Sequence, residues 1–213
     1  MPFRTLAIEG PIGAGKTALA ERLGTRLDAT VVLEETENPF LADFYAERPG
    51  AALQTQLFYL LNRHRQQTSL RQTDLFSQTT ICDYVFDKDK IFAYLNLDDN
   101  ELFIYQRLYE LLARDVPPPD LVVYLQAPVE TLLSRIAKRG THYESLIDAA
   151  YLTRLNDAYA RFFHEFDKAP LLIVNAASID PVQNQADYEE LVGAIRRMKK
   201  GRMYYNPLRH GTI

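Results

Sequence analysis

A chain of 213 residues, 47% of them hydrophobic, is long enough for one α/β domain over 1–213 to bury about 70% of its unfolded surface. Its formal charge of -4, with both signs spread along the chain, excludes the basic footprint of a nucleic-acid binder, and no apolar run approaches the ~20 residues of a membrane span. The single cysteine, Cys82, excludes an internal disulfide framework and fits a reducing compartment, and the residues before Gly10 are too few for a signal-peptide core, so a soluble cytoplasmic protein is expected.

Short apolar runs alternate with longer amphipathic ones, the pattern of a parallel sheet with crossover helices. Phe3 to Glu9 reads as a strand, Gly10 to Gly15 as a loop and Lys16 to Leu27 as a helix. Thr30 to Glu34 is a second strand, and Pro39 to Ala46 a short helix stopped by Arg48-Pro49-Gly50. A long helix from Ala51 to Arg71 precedes a buried strand from Thr79 to Tyr84. Helices over Asp87–Leu95 and Glu101–Ala113 are broken by Asp98-Asp99-Asn100. The turn Pro117-Pro118-Pro119 feeds a strand, Leu121 to Leu125, and Pro128 starts a helix through Arg139. Tyr151 to Phe166 is helical, with Leu152, Leu155, Tyr159, Phe162 and Phe166 on one face. Leu171 to Val174 closes a sheet of about five strands, and a last helix runs from Asp187 to Lys200.

Gly10-Pro11-Ile12-Gly13-Ala14-Gly15-Lys16-Thr17 fits G-x-x-x-x-G-K-[ST] throughout and lies between a strand and a helix, where its mechanism needs it. Glycines let backbone N–H groups turn around phosphate oxygens, and the helix N-terminus adds positive potential. Lys16 can reach the β- and γ-phosphates, and the Thr17 hydroxyl can bind Mg²⁺. A chance Gly-rich turn would lack this flanking context. The motif implies a nucleoside triphosphate and leaves the acceptor open.

Parallel α/β sheets place their sites at the carboxyl ends of strands, where Glu34 and Asp83 fall. A sugar hydroxyl is a very weak acid, so a carboxylate base there is worth about 10²–10⁴ in rate. On position alone Glu34 is equally a solvated loop acid, with Glu35 beside it competing, and Asp83 is equally a structural acid bonded to the phosphate loop. Gln56 and Arg63, seven apart, share a helical face and carry groups that suit a base edge. Alone they also fit an ordinary solvated face. Arg135 and Arg139 share a face and suit the charge that develops on a γ-phosphate; with Lys138 they also fit a basic helix end. Gly140, a cap or hinge, favours a lid.

From about Phe3 to Val174 this pattern resembles the deoxynucleoside kinase family, which includes the deoxycytidine, deoxyguanosine and deoxyadenosine kinases. The resemblance implies a P-loop kinase fold with a helical lid, ATP as donor, Mg²⁺ near Thr17 and Asp83, and a homodimer. It implies roles for this chain's residues too. Glu34 matches the general base, Tyr45 the tyrosine on the sugar 3′-hydroxyl, and Gln56 and Arg63 the readers of the base. Asp83 matches the acid of the family's Glu/Asp-Arg-Ser motif, and Asp89 the partner of the base-reading arginine. Arg135 and Arg139 match the start of the arginine-rich lid, and Glu144 the lid acid that shares the 3′-hydroxyl. Asn38-Pro39-Phe40-Leu41 looks like the bacterial branch, which tends toward purine deoxynucleosides.

The sequence departs from the family at two places. Tyr84 stands where the motif has an arginine that helps align the acceptor hydroxyl and the phosphate; Arg63, Arg65 or a lid arginine is expected to compensate. Thr141 stands where many members carry a third lid arginine. The nearest rival, a nucleoside monophosphate kinase such as a thymidylate kinase, needs arginines beside the acceptor phosphate, and Tyr84 weighs against it. A regulatory ATP-binding protein would have no use for Gln56, Asp89 and Glu144 together. Cys82 reads as a core residue. His64, His142, His164 and His210 show no metal-ligand spacing, and Lys199, Lys200 and Arg202 read as a solvated basic end.

Overall fold

The computed structural model describes residues 3–73, 79–140 and 147–207, with side chains for all of these but 71–73. Its strands are β1 (Thr5–Glu9), β2 (Thr30–Val32), β3 (Thr80–Cys82), β4 (Leu121–Gln126), β5 (Leu171–Asn175) and β6 (Arg202–Tyr205). All pair in parallel, in the order β2-β3-β1-β4-β5-β6. The helices are α1 (Lys16–Leu27), α2 (Leu41–Tyr45), α3 (Ala51–Thr73), α4 (Asp89–Asn96), α5 (Asp99–Leu112), α6 (Val129–Arg139), α7 (Ala149–Glu165) and α8 (Gln185–Arg197), with a 3₁₀ turn at Phe86–Lys88.

β4 and β5 are nearly continuous apolar runs because helices cover both faces of a parallel sheet. Leu6 pairs with Ile81 on one side and Leu121 on the other, and Ala7 with Cys82 and Val122, which aligns the carboxyl ends of β1, β3 and β4. The chain leaves β1 for β2 at the sheet edge, returns through β3, then crosses to β4 on the far side of β1. The connections therefore diverge around β1, and a crevice opens at that carboxyl end.

Most helix boundaries follow local chemistry. Asp98 does not merely interrupt two helices. Its carboxylate accepts the Asn100 and Glu101 N–H groups while Glu101 returns to the Asp98 N–H, a capping box that starts α5. Asp148 caps α7 by accepting the Tyr151 N–H, and Asn184 caps α8 by accepting those of Ala186 and Asp187. On α7 the buried set is Leu152, Leu155, Tyr159 and Phe163; Phe162, expected inside, is only half-buried and packs edge-on against Phe163. The buried set advances by three, four and four, to Phe163; a step of three from Tyr159 reaches Phe162, at the edge of that face.

Two further expectations are corrected. The sheet has six strands, because β6 pairs with β5 at the edge. Its sequence, Arg-Met-Tyr-Tyr, alternates exposed and half-buried side chains, so no apolar run announces it. Arg202 is exposed yet is more than a solvated cation: its guanidinium donates to the carbonyls of Phe163, His164 and Phe166 and closes the C-terminal end of α7.

α3 has no apolar stripe along its length. Leu60 joins a small second core with Phe86, Ala93, Tyr105 and Tyr109 between α3, α4 and α5. The polar Gln56 and Arg63 of the same helix are also buried, toward the crevice.

Candidate active site

The loop Gly10–Gly15 passes from β1 into α1 beneath close neighbours. A Cβ on Gly10 would stand 2.6 Å from the Leu125 carbonyl oxygen. One on Gly13, whose φ is +85, would stand 2.8 Å from that of Leu132. Lys16 bends back so that Nζ donates to the carbonyls of Gly10 (2.8 Å) and Pro11 (3.3 Å). Burial lowers its pKa, and the nearby Lys88 ammonium lowers it further. Arg135 donates to the carbonyls of Ala14 (3.4 Å) and Ala176 (2.8 Å), so this side chain also braces the phosphate loop. Arg139 ends α6, exposed, and Gly140 caps the helix in the left-handed region, as its sequence position implies. Glu144, the expected lid acid, lies outside the described residues together with Thr141, His142 and His210.

Asp83 leaves the end of β3 and joins the two halves of the site. One oxygen accepts the Thr17 hydroxyl at 2.6 Å, and the other accepts the Glu34 N–H at 2.6 Å. The Glu34 carboxylate is 18% exposed and held by two cations. Its Oε1 accepts from Arg63 Nε (2.7 Å) and Nη2 (2.5 Å), and its Oε2 from Lys88 Nζ (2.7 Å). Burial would raise its pKa, but the charges of Arg63 and Lys88 outweigh that and hold it well below the usual carboxylate range. Glu35, 41% exposed, pairs outward with Arg65 at 3.0 Å. Geometry therefore separates the two adjacent acids and sets Arg65 beside Glu35, while Arg63 is the arginine that meets Glu34.

Arg63 continues from Glu34 to Asp89, whose side chain is fully buried, through an Nη1–Oδ2 ion pair. Gln56 Nε2 donates to the Asp89 carboxylate (2.5 Å) and carbonyl (3.0 Å). Burial raises the Asp89 pKa against the opposing charge of Arg63. The Tyr59 ring lies 5.1 Å from the Arg63 guanidinium. Tyr45, the last residue of α2, is half-buried against the main core with its ring 5.3 Å from that of Phe44.

Two residues of the site carry no sequence signal strong enough to single them out. Glu9 is wholly buried and accepts the Gly10 N–H (2.8 Å), the Val85 N–H (2.9 Å) and the Tyr159 hydroxyl (3.2 Å). It ties the phosphate loop to the connection after β3 and to α7. An acid just before the first motif glycine is its only local mark. Lys88 sits in the run Asp87-Lys88-Asp89-Lys90, where alternating charge does not reveal that the first three are buried. Tyr84 points elsewhere: its hydroxyl donates to Gln66 (3.0 Å) and accepts from Gln67 (3.1 Å). Cys82 is buried as expected, and burial pushes its thiol up to about 11. Among the described residues no group of His, Cys, Asp or Glu side chains could hold a metal without help from a ligand.

A loop shaped for phosphates, with a partly buried carboxylate facing the same crevice, is what transfer of a phosphoryl group to a hydroxyl requires, and it defines the class as a P-loop phosphotransferase. Comparison with known proteins narrows this: the chain belongs to the deoxynucleoside kinase family, whose model matches residues 6–199. It is 35% identical over 203 residues to a deoxyguanosine kinase of Bacillus subtilis, covering 92% of this chain and 97% of that one. It is 32% identical over 198 residues to a deoxyadenosine kinase of Dictyostelium discoideum, covering 87% and 80%. The fold matches a deoxyadenosine kinase from M. mycoides solved with dCMP and dCDP, with TM-score 0.78, 27% identity and coverage of 90% and 98%. The protein is thus a deoxynucleoside kinase of the α/β type expected from its sequence.

Proposed function

We propose that this enzyme transfers the γ-phosphoryl group of ATP to the 5′-hydroxyl of a purine deoxynucleoside, deoxyguanosine or deoxyadenosine. In this reading it is a cytoplasmic, Mg²⁺-dependent homodimer with one catalytic domain over 1–213. The observation that carries the reading is the Glu34 carboxylate, clamped between Arg63 and Lys88 and joined through Asp83 to the phosphate loop.

Glu34 is the base. Its lowered pKa keeps it ionised and able to orient the 5′-hydroxyl. In a loose phosphoryl-transfer transition state little covalent work is left to the protein, so a strong base is not required. Lys16 and the lid arginines Arg135 and Arg139 meet the charge that builds on the phosphoryl group, with Tyr45 and Glu144 on the sugar. The Thr17 hydroxyl and Asp83 carboxylate are adjacent hard oxygen donors, which fits Mg²⁺ carried in with the phosphates. When bound, Mg²⁺ neutralises β- and γ-phosphate charge.

Gln56 and Arg63 bring an amide and a guanidinium to the base, the groups that pair with adenine and guanine edges. The relatives named for deoxyguanosine and deoxyadenosine point the same way. The homodimer is supported by α5, which exposes Phe103 (60%), Ile104, Leu108 and Leu111 as an apolar face. A second copy of the same face would cover it.

The test is ADP release from ATP and Mg²⁺ with each of the four deoxynucleosides, and each matching monophosphate, added singly. A purine deoxynucleoside should give the fastest turnover. Turnover with monophosphates alone, or ADP release indifferent to the acceptor, would refute the reading. Asp89→Ala should reorder the nucleosides more than it changes ATP affinity.

A further inference from the structure

Glu34 has two carboxylate oxygens and four lone-pair sites between them. Arg63 occupies Oε1 with both Nε and Nη2, so that oxygen has no site left for a substrate hydroxyl. Among the described residues Oε2 accepts from the Lys88 ammonium alone, which leaves it one lone pair. A proton leaving the 5′-hydroxyl therefore has one destination, Oε2, the oxygen that Lys88 holds.

Lys88 is mounted to do this. Its side chain is 4% exposed, with Nζ 5.7 Å from the centre of the Phe92 ring, and the 3₁₀ turn that carries it is anchored on both sides. Before it, the Val85 N–H is bound by Glu9. Within it, the Asp87 carboxylate accepts the Tyr109 hydroxyl (2.6 Å) and Lys168 Nζ (2.5 Å). A base held by a rigid, packed shell keeps its productive geometry. Position 84 offers no cation and directs its hydroxyl to Gln66 and Gln67 on α3. Arg65 is engaged with Glu35.

We propose that Lys88 is the positioning residue that orients Oε2 of Glu34 as the proton-accepting oxygen, supplying from the turn after β3 the cation that position 84 lacks. The inference rests on the reading of Glu34 as the base, and the experiment separates the two. Lys88→Met, Lys88→Gln, Lys88→Arg, Glu34→Gln and the double variant Lys88→Met/Glu34→Gln are compared for kcat, for KM of ATP and nucleoside, and for thermal melting. Lys88→Met should lower kcat by about 10²-fold, the scale of a misplaced catalytic group, while KM for ATP stays within about threefold. Lys88→Arg, which keeps the cation, should recover at least about tenfold of that loss. Because Lys88 acts through Glu34, the double variant should be no slower than Glu34→Gln alone.

Near-full activity in Lys88→Met, an equal loss in Lys88→Arg, or losses that multiply in the double variant would each overturn the assignment. If Lys88→Met melts early, Lys88→Gln keeps a hydrogen-bond donor without charge and decides by the same comparison. Full activity in Glu34→Gln would instead remove the base reading itself, whatever Lys88 does.

Discussion

Arg63→Met tests the buried network directly. The substitution removes one guanidinium that binds both Glu34 and Asp89, and it leaves Asp89, wholly inaccessible to solvent, facing the uncharged Gln56 amide and Tyr105 hydroxyl in place of that cation. Glu34 still keeps Lys88 and is partly open to water, so the main cost falls on Asp89. Breaking a buried pair by deleting one partner costs about 3–5 kcal/mol, a large share of the ~5–15 kcal/mol that holds a typical domain. For a chain of this size that corresponds to a fall in Tm of about 6–20 °C. The sign of the pH effect follows from linkage. Burial already raises the Asp89 pKa, so the folded state binds a proton more readily than the unfolded chain. Stability contributed by this group therefore falls as pH rises from the unfolded pKa through the folded one. Without Arg63 the folded pKa rises further, so the penalty should be larger at pH 7 than at pH 5. Urea unfolding at both pH values measures it, and adding Asp89→Asn should restore much of the loss by removing the stranded charge. A loss below about 1 kcal/mol at pH 7, a penalty equal at both pH values, or no rescue by Asp89→Asn would refute the reasoning.

Glu34→Gln should lower kcat by about 10²–10⁴ while binding of a non-hydrolysable ATP analogue, followed by calorimetry, changes little. Gly13→Ala must place a Cβ 2.8 Å from the Leu132 carbonyl at φ +85, and should lower both analogue affinity and stability, the latter by about 1–3 kcal/mol. If the proposed homodimer forms through α5, Phe103→Glu combined with Leu111→Glu should turn a dimeric mass in light scattering into a monomeric one, since both side chains lie on its exposed face; a wild-type chain of monomeric mass would refute the homodimer, and a dimeric mass in the variant would refute this interface. The Cys82 thiol, buried and pushed up to about 11, should resist thiol reagents at pH 8 until urea unfolds the chain.

Local rules made much of this protein legible before any tertiary contact was known. The phosphate loop is a contiguous motif whose meaning lies in its own glycines, lysine and threonine, and apolar runs alternating with amphipathic stretches are enough to name a parallel sheet with crossover helices. α1 begins and ends where its pattern begins and ends, Lys16 to Leu27. The pairing of Arg63 with Asp89 was accessible through the resemblance of spaced residues.

Tertiary structure alone decided the rest, because there a side chain's environment depends on segments distant in sequence. Glu34 and Glu35 are chemically identical neighbours, and only the positions of Arg63, Lys88 and Arg65 in space turn one inward and one outward. Lys88 stands in a run of alternating charges that any solvated helix could carry; the fold buries it against Glu34 from 54 residues away. β6 became a strand because the edge of β5 was open to pair, not because Arg-Met-Tyr-Tyr is a strongly apolar run, and Arg202 became a helix cap because that pairing brought it beneath α7. Periodicity reports which side of its own element a residue occupies. Which buried charge it will meet there is set by the packing of the other elements.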